Sequence, residues 1–100
     1  MTKLTHQHFM KEGIAMTFKK WLISKYIDEI GPEGDLARDV DRDEEFPLNG
    51  PRKFKGWHRI LYDYLMRAGA CYECMDVFEE CWKEYELCER KRLKMALPKQ

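Results

Sequence analysis

The amino-acid sequence predicts a small all-α domain, a bundle of four to five short helices, on three observations. Apolar residues return at spacings of three and four through most of the chain, Gly and Pro cluster between those stretches, and no segment sustains the alternation of a strand. There is no internal repeat or low-complexity tract. One hundred residues make one domain at most, large enough to bury a core without staples.

The first element is introduced by an anomaly. "KEGIAM" ahead of the first strong helix can be encoded by a run resembling a bacterial ribosome-binding site followed by ATG. Met16 is therefore expected to be the natural start, with residues 1–16 a flexible extension. Thr17 is a reasonable N-cap, and Phe18, Trp21, Leu22, Tyr26 and Ile30 then lie on one helical face, stopped by Gly31-Pro32. In "EGDLARDVDRDEEFP", Asp35 can cap a short second helix that buries Leu36, Ala37 and Val40, before an extended turn at Phe46-Pro47. The segment "PLNGPRK" reads as a loop. Phe54, Trp57, Ile60, Leu61, Tyr64, Leu65 and Ala68 mark a third helix closed by Gly69. A last helix runs from about Cys71 into "ERKRLKMAL", limited by Pro98, with residues 91–100 a basic extension of it.

All four cysteines fall between Cys71 and Cys88. Along one helix, Cys74, Cys81 and Cys88 are each about 10.5 Å apart, whereas a tetrahedral zinc needs its sulfurs about 2.3 Å from one point. No metal or other cofactor is expected. On a helical wheel Cys71 and Tyr85 flank Phe78 closely, Met75 and Trp82 lie to one side, and Cys74, Cys81 and Cys88 form a small-residue stripe on the other. Redox chemistry by Cys71 and Cys74 at a helix N-terminus is the competing account. It would call for a βαβ scaffold that the sequence lacks.

Composition narrows the function classes. Eighteen basic and eighteen acidic side chains cancel, which removes the global positive field of a non-specific nucleic-acid or membrane binder. No apolar run reaches the length of a membrane span and no secretion signal opens the sequence, so a cytoplasmic protein with no membrane partner is expected. "DVDRDEE" begins like a calcium loop, but Glu44 stands where the motif needs Gly and Gly50 where it needs Glu. No catalytic triad or phosphate loop is legible in the spacing, and a non-enzymatic role is expected.

The charges are segregated. Nine carboxylates between Asp28 and Glu45 face only Arg38 and Arg42, while "RKFKGWHR" and "ERKRLK" are basic. Opposite poles on one domain can steer a charged partner or drive self-association. Solvated helix faces with ion pairs worth under about 1 kcal/mol each are the simpler account of the same charges.

"FKKWL", "LARDVDRDEEFP", "ILYDYL" and "CMDVFEECWKEY" resemble, in order and spacing, the YozE-type SAM-like family of small bacterial and phage proteins, over about Thr17 to Glu86. The anchors are Phe18, Trp21, Leu22, Leu36, Ala37, Asp39, Phe46, Pro47, Phe78, Trp82 and Tyr85, mostly core types. The resemblance implies a fold similar to the sterile alpha motif for residues 17–90 and brings no catalytic residues with it. With the charge pattern, it makes a protein-interaction module of a phage or mobile element the leading expectation. That module would bind a host or phage protein, as an inhibitor for example, through the acidic surface of Asp35, Asp39, Asp41, Asp43, Glu44 and Glu45. The alternative is nucleic-acid binding by Arg52, Lys53, Lys55 and Arg59 together with Arg90, Lys91 and Arg92.

Overall fold

The computed structural model of the protein describes residues 16–50 and 53–96. Four helices follow one another: α1 (Phe18–Tyr26), α2 (Pro32–Arg42), α3 (Phe54–Arg67) and α4 (Tyr72–Ala96). The all-α expectation is met at four helices, and the described residues contain no strand. Of the extension expected at residues 1–16 only Met16 is described, hydrogen-bonded to α4; residues 1–15, Arg52 and residues 97–100 with Pro98 lie outside the described residues.

Local chemistry sets the helix ends. Thr17 caps α1 as expected, its Oγ1 accepting from the Lys20 N–H at 3.1 Å. α1 stops at Tyr26, so Ile30 falls outside it and is 96 % exposed, a correction to its expected place on the buried face. Pro32 begins α2 instead of ending α1, because a missing N–H costs nothing in a first turn. Asp35 therefore lies inside the first turn of α2 and is not its cap; Gly31 holds that place at φ 119°, a conformation that glycine adopts without strain.

The α1–α2 corner is clamped by Arg38, whose Nη1 donates to the carbonyls of Ile27 at 3.0 Å and Glu29 at 3.1 Å. Gly34 makes that approach possible, since a Cβ there would run into the Glu29 carbonyl. α3 closes with a Schellman turn: Gly69, at φ 90°, donates to Met66 O, and Ala70 donates to Leu65 O.

α4 is the spine. It packs against α1, α2 and α3, and α1 packs against α2, while α2 and α3 reach α4 without packing on each other. Met75, Phe78, Cys81, Trp82 and Tyr85 form its buried face, the i, i+3, i+4 pattern continued over three turns. Phe18 enters this face fully buried, with ring centroids 5.4 Å from Phe78 and Trp82 and 5.5 Å from Tyr85. Trp21 and Leu22 from α1, Leu36, Ala37 and Val40 from α2, Phe46 from the loop, and Phe54, Leu61 and Leu65 from α3 complete the core. Ile60, expected on the α3 core face, is 46 % exposed, because that face centres on Phe54, Leu61 and Leu65, with Trp57, Tyr62 and Tyr64 partly buried beside them.

The cysteines divide by position. Cys81 is buried, Cys74 and Cys88 are half-buried flanks, and Cys71 is exposed. Cys71 does not join the Phe78 face as expected, because α4 begins only at Tyr72. Burial, with Glu33, Glu84 and Glu80 nearby, pushes the Cys81 thiol up to about 12, and burial also raises Cys74.

A polar clasp that periodicity does not reveal ties the start of α1 to α4. Buried Asn49 accepts from the Phe18 N–H at 2.7 Å and donates through Nδ2 to the Tyr85 hydroxyl at 2.7 Å. Tyr85 donates in turn to the Met16 carbonyl at 2.6 Å. One turn further along α4, Glu89 is buried and accepts from the Met16 N–H at 3.3 Å and from Arg92 Nε at 3.0 Å. Each of these groups would be costly to bury unpaired, so the clasp offsets its own desolvation.

Two expectations follow from this packing. Asn49→Ala strands the Phe18 N–H and removes the donor to Tyr85, and chemical denaturation should register a loss of about 2 kcal/mol. Burial pushes Tyr85 up to about 12 in the folded protein, against about 10 in an unfolded chain. The folded state thus keeps a proton that the unfolded state loses, a contribution complete below pH ~10 and lost as pH rises towards the folded value. Tyr85→Phe should flatten the fall in stability over that window. For the thiols, a maleimide at neutral pH should modify Cys71 first and leave Cys81 intact until denaturant is added, as mass spectrometry of the digested protein would read.

Candidate functional site

Because the main chains of α2 and α3 both pack on α4 and not closely on each other, a groove opens between them. Its volume is about 450 Å³. Leu36 and Val40 of α2, Phe46, and Leu65 of α3 form its apolar floor, and Ala68, Gly69, Ala70 and Cys71 of the α3–α4 corner line one end with Cys74. A second cavity of about 220 Å³ shares Leu36, Asp39, Cys71 and Cys74 with it and extends to Pro32, Asp35, Glu73 and Val77. The two form one depression along the α2 side of the bundle.

Its rim is acidic, and the helical repeat decides which acidic residues take part. Asp35, Asp39 and Asp43 follow one another at intervals of four, which puts them on one side of α2 in steps of about 6 Å. Asp39 and Asp43 line the larger cavity, and Asp35 and Asp39 line the smaller. Asp41, two residues from Asp39, points away by about 200° of helical rotation and is exposed elsewhere. Glu44 and Glu45 are exposed in the following turn and line neither cavity. Three of the six acidic residues singled out in the sequence are thus brought together, and Glu73 joins them from α4.

Those three differ in what they already do. Asp35 accepts from Arg38 Nη2 and Asp39 from Arg42 Nη2, each at 2.8 Å, in exposed i, i+3 pairs. Such pairs are worth less than about 1 kcal/mol and exchange readily. Asp43 is a structural member: one carboxylate oxygen accepts from the Tyr64 hydroxyl of α3 at 2.6 Å, and the other accepts from the Glu45 N–H at 3.0 Å. Lys19 donates to its carbonyl at 2.8 Å. The bond to Asp43 raises the Tyr64 hydroxyl above the ordinary tyrosine range. The aspartates at 39 and 41 stand on a continuous helix, not on a calcium-type loop.

The basic candidates gather on another side of α4. Lys53, in the left-handed region at φ 64°, precedes α3 and is exposed, as are Lys55 and Lys91. The arginines are more committed: Arg59 pairs with Asp63 at 3.3 Å, Arg90 with Glu86 at 2.7 Å, and Arg92 with buried Glu89. Arg90 also lies over the Phe54 ring, 4.8 Å from its centroid. Lys55 and Arg90, 35 positions apart in the sequence, line one cleft of about 260 Å³ with His58, Trp82 and Glu86. The two basic segments therefore meet.

His58 is a residue whose setting the sequence does not foretell. Its ring stacks on Phe78 at 5.6 Å, and Nε2 lies 3.0 and 3.1 Å from the two carboxylate oxygens of Glu79. Among the described residues no group of three His, Cys, Asp or Glu side chains is placed to hold a metal ion. No helix among them is long and apolar enough to cross a membrane. The arrangement offers two surfaces of opposite charge, each built around apolar side chains.

No curated protein and no solved structure matches the chain. A family model described as "YozE SAM-like fold" matches residues 17–87. That span runs from the N-cap of α1 through the buried face of α4, well over half of the chain, and the protein therefore belongs to the YozE SAM-like family.

Proposed function

We propose that this protein is a non-enzymatic protein-interaction module, an accessory protein of a phage or mobile element that binds a host or phage protein and can inhibit it. The acidic side of α2 is its docking surface. The observation that carries this reading is the apolar depression whose rim holds Asp35, Asp39, Asp43 and Glu73. Apolar surface supplies affinity, while like charges around it set the approach and reject partners of the same sign. Asp41, Glu44 and Glu45, exposed outside the groove, add to the long-range field.

Nucleic-acid binding is the second reading, favoured by one observation, the meeting of Lys55 and Arg90 around Trp82. Against it, Glu86 lies in the same cleft and holds Arg90.

Affinity capture from the cell of origin separates the two. A specific protein partner should be retained by the wild-type chain and lost on Asp35→Lys/Asp39→Lys, a double change that removes two exposed pairs and leaves the core untouched. Retention that survives this reversal would refute the acidic docking surface. Nucleic-acid binding through about four phosphates would instead weaken by roughly 100-fold between about 50 and about 200 mM salt. It should vanish on Lys53→Glu/Lys55→Glu, and salt-independent or absent retention on DNA and RNA columns would eliminate the second reading.

A further inference from the structure

We infer that the groove between α2 and α3 seats a basic amphipathic helix of a partner protein, with its apolar side chains in the groove and its lysines or arginines against Asp35 and Asp39. The inference rests on the acidic docking surface proposed above and names its occupant.

Three observations lead to it. The groove has an apolar floor at Leu36, Val40 and Leu65 and is large enough for more than one large side chain, about 450 Å³ before the adjoining cavity begins. Its charge is one-sided: the ionisable side chains lining the two cavities are Asp35, Asp39, Asp43, Glu73 and the acidic-type hydroxyl and thiols of Tyr64, Cys71 and Cys74, with no Lys or Arg among them. Charge complementarity therefore calls for a cationic ligand. Finally, the groove lies between helices and the described residues contain no strand edge for main-chain pairing, and a helix laid along it presents side chains at i, i+3, i+4 and i+7.

The spacing also fits. Asp35 and Asp39 lie about 6 Å apart along α2, the step between positions i and i+4 on any helix laid alongside it. Their present partners, half-buried Arg38 and exposed Arg42, are neighbours on α2 itself, and Arg38 keeps its bonds to the Ile27 and Glu29 carbonyls, so an incoming cation trades one weak pair for another while the apolar contact supplies the net gain. Asp43, held by Tyr64, keeps the wall between α2 and α3 in place.

The test is selection from a displayed library of random peptides, about 16 residues long to allow four helical turns, on the immobilised full chain. Ala68→Trp plugs the groove without altering its charge, and Cys71→Trp, at an exposed position on the same lining, is an independent plug. Far-ultraviolet circular dichroism verifies that each variant folds. Enriched peptides are expected to carry Lys or Arg at i, i+4 beside Leu, Met, Phe or Trp at i, i+3, i+4. Their affinity should fall at least about tenfold on either plug and on Asp35→Lys/Asp39→Lys, a change of about 1.4 kcal/mol. Failure to enrich any peptide, or enrichment of acidic or non-helical ones, overturns the inference. Peptides that lose affinity on the charge reversal but ignore both plugs overturn the groove seat while leaving the acidic surface standing; peptides indifferent to all three variants sink both. A dimer in sedimentation that Ala68→Trp dissociates would also overturn it, by putting a second copy of the chain where the partner helix should lie.

Discussion

The burial of Phe18 against the aromatic face of α4 is the contact on which the other helices depend. Its ring meets Phe78, Trp82 and Tyr85 from α4 and Phe46 from the central loop, so one side chain joins the beginning, middle and end of the chain. Aromatic burial of this size is a large favourable term for a small domain, but it also carries the main chain at residues 16–18 inward. The Asn49–Tyr85 clasp answers that consequence by pairing the Phe18 N–H and the Met16 carbonyl. Hydrophobic packing and polar satisfaction are here two parts of one arrangement.

From that spine the two charged surfaces follow. A single long helix holds α1, α2 and α3 around it, and the three short helices of 9, 11 and 14 residues do not all pack on one another. α1 packs on α2, and the space left between α2 and α3 is the acid-rimmed groove. A hydrogen bond between Asp43 and Tyr64, both on its lining, ties the end of α2 to α3. On another side, α3 begins next to the last turns of α4, and this brings the two basic segments into one cleft over Phe54 and Trp82.

Net neutrality thus conceals a polar molecule. The arginines are mostly engaged by neighbouring carboxylates one helical turn away, while the lysines at 53, 55 and 91 are exposed. Counting charge clusters along the sequence overstates the basic side for this reason. It understates the acidic side, because the groove that Asp39 and Asp43 line is completed by Tyr64, Leu65 and Cys74, far from them in the chain.

The core was legible because helical periodicity is a local property: Phe18, Trp21, Leu22, Leu36, Val40, Leu61, Phe78, Trp82 and Tyr85 repeat at three and four and are buried. Thr17 and Gly69 were legible as ends because capping chemistry is local too. Ile30 and Cys71 misled because each stands just beyond a helix end, where the periodic face no longer points at the core. Glu89 continues the α4 buried stripe four residues after Tyr85 and could have been suspected from that spacing; Asn49, in a turn-rich loop, carries no such signal. The sequence by itself determined the helices, their apolar faces and the segregation of charge. Only the tertiary structure decided which carboxylates share a groove, which arginines are engaged and which loop amide closes the core, because those outcomes depend on distances between residues that the order of the chain does not set.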